Sequence, residues 1–147
     1  MQLLMYTDYA LRALVYVGTH PERPVSAYAI AQAYRISTDH VAKATKALTR
    51  EHLLHATRGA RGGVQLAKPA SEIQIGTVVR LFEADRGVVD CAGATALPCR
   101  IAASCKLRGA FAEAQEAFYA VLDRYTLEDV MQNRPQLVQL LRGGRRA

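Results

Sequence analysis

Between residues 37 and 67 the hydrophobic period of the chain changes, and few folds accept both halves of that change. Val41, Ala44, Thr45 and Leu48 follow the i, i+3, i+4, i+7 spacing that lays one face of a helix on a core. Directly afterwards, the runs LLHAT and GVQLA alternate at a period of two, through Leu54 and Ala56 on one run and Val64 and Leu66 on the other. The segment between them, RGARGG, is rich in Gly and Arg, so the two runs read as a β-hairpin.

Upstream, Pro24 and Ser26 announce a helix with Ser26 as N-cap, ending near Tyr34. RIS is a short turn, and Ser37 caps the next helix, which runs to about His52. Two helices across so short a turn form a helix-turn-helix, and a hairpin that follows at once is the wing of a winged helix. The solvent side of the second helix carries His40, Lys43, Ala47 and Arg50, with Thr38 and Lys46 at its flanks and Ser37 at its start. Short residues allow close approach to a groove, and long cations reach base edges and phosphates. Arg61 in the hairpin tip suits a narrow minor groove, and Arg58 suits a phosphate. A solvated helix face and a plain hairpin with exposed arginines are the other readings these residues allow.

The charge distribution agrees with a polyanionic partner. Residues 1–70 hold nine Lys/Arg against four Asp/Glu, residues 71–141 hold seven against nine, and the last six residues add three Arg. Clustered positive charge gains affinity for phosphates through counterion release, though solubility alone could also require it. The opening MQLLMYTDYALRALVYVG lacks a basic leader and places Asp8 and Arg12 inside its apolar stretch, so a buried first helix from Thr7 or Asp8 to about Gly18 is expected, not a signal peptide. No apolar run reaches membrane-spanning length, and a cytoplasmic protein is expected.

Lys68 and Pro69 end the wing, a helix is expected from Ile75 to Phe82, and residues 83–90 read as a connector. From residue 105 a long helix extends to about Tyr125, with an apolar stripe through Leu107, Ala110, Phe111, Ala114, Ala117, Phe118, Val121 and Tyr125. Such a stripe on a helix that follows a complete winged helix calls for a partner, and a homodimer is expected. Thr126 and Asp129 look like the capping start of a last short helix, and RGGRRA is expected to be disordered. The expected fold is mainly α with a small β-hairpin wing: a winged helix-turn-helix over 1–70, a connecting helix over 71–90, a ligand-binding loop over 91–105, a dimerisation helix over 105–125, and a short helix with a basic tail over 126–147.

The loop DCAGATALPCRIAASCK contains all three cysteines of the chain, Cys91, Cys99 and Cys105, separated by seven and five residues. An odd count argues against a closed disulfide framework. Structural zinc usually shows tighter pairs or His partners, and none of His20, His40, His52 and His55 lies in the loop. A catalytic cysteine needs a positioned His and an oxyanion site, of which there is no motif, so an enzyme is not expected. A thiol switch needs only exposure and a lowered pKa. An iron–sulfur cluster suits the spacing best but needs a further ligand from elsewhere.

With these segments in place the chain resembles the IscR/NsrR family of bacterial winged-helix repressors that carry an iron–sulfur cluster. The likeness spans residues 1 to about 130. It is carried by YTDYALRALVYVG, HVAKATKAL, RGARGGVQLAKP with EIQIGTVVRLFE, the cysteine loop, and CKLRGAFAEAQEAFYAVLDRYTLEDV. Lys106, Leu107, Arg108 and Gly109 stand where the cluster-biogenesis branch has a histidine, and Asp8 stands where the nitric-oxide-sensing branch has an aspartate. The resemblance therefore implies a homodimeric repressor of palindromic double-stranded DNA. It implies a 4Fe-4S cluster held by Cys91, Cys99 and Cys105 of one subunit and Asp8 of the other, with Arg12 orienting Asp8, and release of DNA on exposure to nitric oxide. A redox or iron-status regulator with a 2Fe-2S cluster, a thiol switch and a zinc-held interaction protein stand as the alternatives.

Overall fold

The computed structural model describes residues 2–59, 62–83, 86–89, 91 and 99–143. The first helix, α1 (Met5–Gly18), starts earlier than its polar residues suggested, and Ala10, Ala13, Leu14 and Val17 form its buried face. α2 (Ala27–Tyr34) begins at Ser26, whose hydroxyl accepts the Ala29 N–H at 3.1 Å. It ends at Arg35, which enters the left-handed region (φ 55°) and returns its N–H to the Ala31 and Gln32 carbonyls. That reversal lets α3 (Thr38–Arg50) pack against both α1 and α2. Val41, Ala44, Thr45 and Leu48 are its buried residues, as their spacing predicts. Ser37 occupies the N-cap position of α3 but makes no side-chain capping bond, a correction to its expected role.

Strands β1 (Leu54–Thr57) and β2 (Gly63–Leu66) pair antiparallel, with Leu54 opposite Leu66 and Ala56 opposite Val64. The alternating residues are thus cross-strand neighbours, but only Leu54 is buried in β1, and Ala56 is exposed. A third backbone joins them. Val25 exchanges hydrogen bonds with Val64 at 3.0 and 2.8 Å, extending the hairpin on its β2 side. Gly63 permits this, because a Cβ there would stand 2.6 Å from the Val25 carbonyl. Neither β1 nor β2 alone could bury enough to persist, and pairing onto α1 and α3 supplies the apolar backing.

The chain divides into two compact units. One gathers Met5–Ile73 with the segment from Thr126 onward. Its core is Leu14, Val17, Ile30, Leu48, Leu54, Ile73 and Leu127, all almost fully buried. Each contributes about 1.5–3 kcal/mol of burial relative to exposure. α6 (Leu127–Val130) opens with a complete capping box between Thr126 and Asp129. α7 (Arg134–Gly143) then packs on α2. Its length corrects the expectation of disorder from Arg142 onward, since Arg142 and Gly143 end this helix and only 144–147 lie outside the described residues.

The other unit holds the residues up to Leu4 with Gln74–Tyr125. α4 (Ile75–Glu83) and α5 (Lys106–Leu122) pack together in it. Gly76 lets the α5 end approach, since a Cβ there would collide with the Asp123 side chain. Arg80 grips Asp123 with two hydrogen bonds of 2.8 and 2.7 Å and lies 4.8 Å over the Tyr119 ring. The buried Glu83 accepts the Leu4 N–H at 2.7 Å. α5 stops at Leu122, short of the expected Tyr125. Of its seventeen residues only Tyr119 is buried in the single chain. No helix among the described residues is long and apolar enough to cross a membrane.

Candidate nucleic-acid interface and metal-ligand positions

α3 presents its polar face outward. Ser37, before the helix, and His40, Lys43, Lys46 and Arg50 on it are exposed and Thr38 is half-buried, so all six expected contacts are accessible. The Arg50 Nε is 3.0 Å from Glu51 Oε1, an exposed pair that a phosphate can displace at little cost. Arg58 is exposed at the end of β1, beside Gly59, whose φ of 110° is a conformation that favours glycine. Arg61 lies outside the described residues.

Two contacts on α3 are not visible as motifs. Tyr6 donates its hydroxyl to the Lys43 carbonyl at 2.7 Å, and the Tyr9 ring stacks on His40 at 5.7 Å between centroids. α1 therefore holds the exposed helix by two tyrosines one turn apart. The only available signal was their three-residue spacing on α1.

Asp8 lies between those tyrosines in the first turn of α1, where a carboxylate is favoured by the helix dipole. The Arg12 Nε stands 2.8 Å from Asp8 Oδ2, the i, i+4 pair expected from the sequence. That nitrogen is shielded from solvent and its N–H is not aligned for a hydrogen bond, so the contact is an ion pair only. The guanidinium also lies 5.5 Å over the ring of Tyr34. Burial raises the Tyr34 hydroxyl to about 12 against the opposing pull of Arg12, so this phenol stays neutral.

Cys91, Cys99 and Cys105 are free thiols, the first and last half-buried and Cys99 exposed. Cys105 immediately precedes α5, and the Cys99 carbonyl starts the short turn over Ala102–Ser104 by accepting the Ala102 N–H at 3.1 Å. Among the described residues no three His, Cys, Asp or Glu side chains are gathered closely enough to hold a metal ion. The structure thus brings Asp8 to Arg12 but does not assemble the thiols. As a donor set, three unpaired soft sulfurs suit iron or zinc, and an accessible carboxylate can complete such a set.

The helix-turn-helix, the hairpin paired behind it and the exposed basic face define a winged-helix regulator. Comparison with known proteins assigns the lineage. The family model described as Rrf2, iron-dependent transcriptional regulator, matches residues 3–133. The chain belongs to the Rrf2 family of transcriptional regulators, and it is not an enzyme. It is 39% identical over 142 residues to the HTH-type transcriptional regulator NsrR of Oceanobacillus iheyensis, covering 96% of this chain and 97% of that one. It is 41% identical over 143 residues to the NsrR of Geobacillus kaustophilus, covering 97% of each. Among solved structures it resembles CymR, the global cysteine regulator of B. subtilis, with a TM-score of 0.69 and 25% identity over 90% of this chain and 98% of that one. The fold of T. potens IscR is similar too, with a TM-score of 0.69 at 22% identity over 90% of this chain and 88% of that one.

Proposed function

We propose that this chain is a homodimeric, cytoplasmic repressor that binds a palindromic operator and senses nitric oxide through a 4Fe-4S cluster. Cys91, Cys99 and Cys105 of one protomer and Asp8 of the other are the proposed ligands, with Arg12 orienting Asp8. Ser37, Thr38, His40, Lys43, Lys46, Arg50, Arg58 and Arg61 are the proposed DNA contacts. The observation that carries the reading is three free thiols in a chain about two-fifths identical, end to end, to regulators named NsrR. When bound, the cluster supplies the iron with which nitric oxide reacts.

The protein's own part is mechanical. Asp8 is flanked by Tyr6 and Tyr9, the residues through which α1 holds α3. Any restraint on the Asp8 carboxylate is therefore also a restraint on the reading helix. Two half-sites about one helical turn apart require two reading helices at fixed separation, so tethering Asp8 to the partner's thiols favours the DNA-bound arrangement. Loss of that tether widens the range of separations and lowers affinity by population shift.

Anaerobic reconstitution with native mass spectrometry tests the ligand set, and gel shift on the chain's own upstream DNA tests the response. The expected results are four iron and four sulfide per subunit, a nitric-oxide-sensitive DNA complex, loss of the cluster in Cys99→Ser, and a cluster that assembles but responds differently to nitric oxide in Asp8→Ala. Two irons per subunit would replace nitric oxide sensing with the redox reading. Zinc without acid-labile sulfide, or DNA affinity indifferent to the cluster, would end the proposal.

A further inference from the structure

The wing is held in place by a segment distant in sequence. Residues 19–25 run between α1 and α2, and β2 leans on them twice, through the paired Val25 and Val64 backbones and through Gln65 Nε2, which donates to the Pro21 carbonyl at 3.3 Å. The same loop is gripped on its other flank by the first residue of α7. Arg134 Nε donates to the Thr19 carbonyl at 3.1 Å, and Arg134 Nη2 lies 3.5 Å from Glu22 Oε2. Thr19 is itself buried, with its hydroxyl bonded to the Tyr16 carbonyl at 2.7 Å, so the anchor point is rigid. Between these contacts lies a groove of about 550 Å³ whose walls include Pro21, Leu66, Lys68, Met131 and Arg134. Leu66 and Lys68 at the wing base thus face this groove, and the loop contacts reach β2 beside it.

We infer that Arg134 is a positioning residue for the wing: it fixes loop 19–25, and the loop fixes β2 and hence the hairpin that carries Arg58 at the end of β1. The inference rests on the DNA-binding reading above. The Glu22 contact is long and exposed and contributes little. The bond to the Thr19 carbonyl is charge-assisted and part-buried, and it dominates.

Operator affinity of Arg134→Ala, of the tip variant Arg58→Ala with Arg61→Ala, and of the triple variant forms a double-mutant cycle, with thermal unfolding of each protein alongside. Losing one charged hydrogen bond predicts roughly a fivefold to twentyfold drop in affinity for Arg134→Ala. The drop should vanish in the tip-variant background, and Arg134→Lys should recover part of it. The same fold loss in both backgrounds, or no loss in Arg134→Ala, would overturn the inference. A wild-type protein that fails to bind the operator at all would instead sink the DNA-binding reading.

Discussion

The pairing of Arg80 and Asp123 joins α4 to the end of α5 with two parallel hydrogen bonds, a geometry only arginine can offer a carboxylate. The Arg80 side chain holds the Asp123 carboxyl below its ordinary value, first by hydrogen bonding and then by charge. Asp129 is lowered too, by the Thr126 backbone N–H and hydroxyl of the capping box. A carboxylate depressed in the folded state stabilises the fold fully above its ordinary pKa and loses that contribution as pH falls through the lower folded value. Stability should therefore decline on the acid side, below about pH 4. Asp123→Asn should be less stable at neutral pH and should flatten the acid decline. Urea midpoints measured from pH 2.5 to 7 check this, and parallel curves for the two proteins would assign the acid sensitivity elsewhere.

Among the elements, α3 carries the sharpest expectation. Lys43 is exposed and holds Tyr6 through its backbone carbonyl, so removing the side chain leaves that contact intact. Lys43→Ala should weaken binding to all DNA sequences by a similar factor and reduce the slope of log affinity against log salt by roughly one, as loss of a single phosphate contact does. Fluorescence anisotropy over a salt series measures both. A loss restricted to the specific operator would make Lys43 a base reader. α3 is legible in the sequence because its core residues and polar residues alternate within a single continuous stretch. The capping box at Thr126 and Asp129 was legible for the same local reason. Val25 was not, since a two-residue bridge to Val64 leaves no periodicity. Nor was the Tyr6 contact, which joins residues 37 apart through a side chain and a carbonyl. α7 was misread in part because Arg142 and Gly143 look like tail composition, yet they complete a helix whose place is set by packing on α2. The cysteine spacing displayed three thiols but not their assembly, which in the proposed reading would come only with the bound cluster.

For the molecule as a whole, the informative surface is α5. Leu107 is 67% exposed, Phe111 37% and Val121 48%, with Tyr125 just past the helix end 52%, while Ala110, Ala114 and Ala117 are exposed between them. The other side of the helix, through Gln115, Tyr119 and the following Asp123, is engaged with Arg80 and Arg86 of its own unit. An apolar stripe of this length on a helix already anchored behind is costly to leave in water, and a second copy of the same helix offers a self-complementary cover. The alanines remove side-chain bulk along the seam, so two such helices can approach closely. Homodimerisation is the proposed outcome, and it sets the spacing of two reading helices. Phe111→Glu with Val121→Glu puts two like charges per chain into the seam without touching α3 or the wing. The double variant should sediment as a monomer at concentrations where the wild type is a dimer. It should keep its thermal transition within the range of a folded domain and lose cooperative occupancy of a two-half-site operator, while a single half-site binds with unchanged affinity. A variant that still sediments as a dimer would place the interface on another face and leave the α5 stripe without an assigned partner.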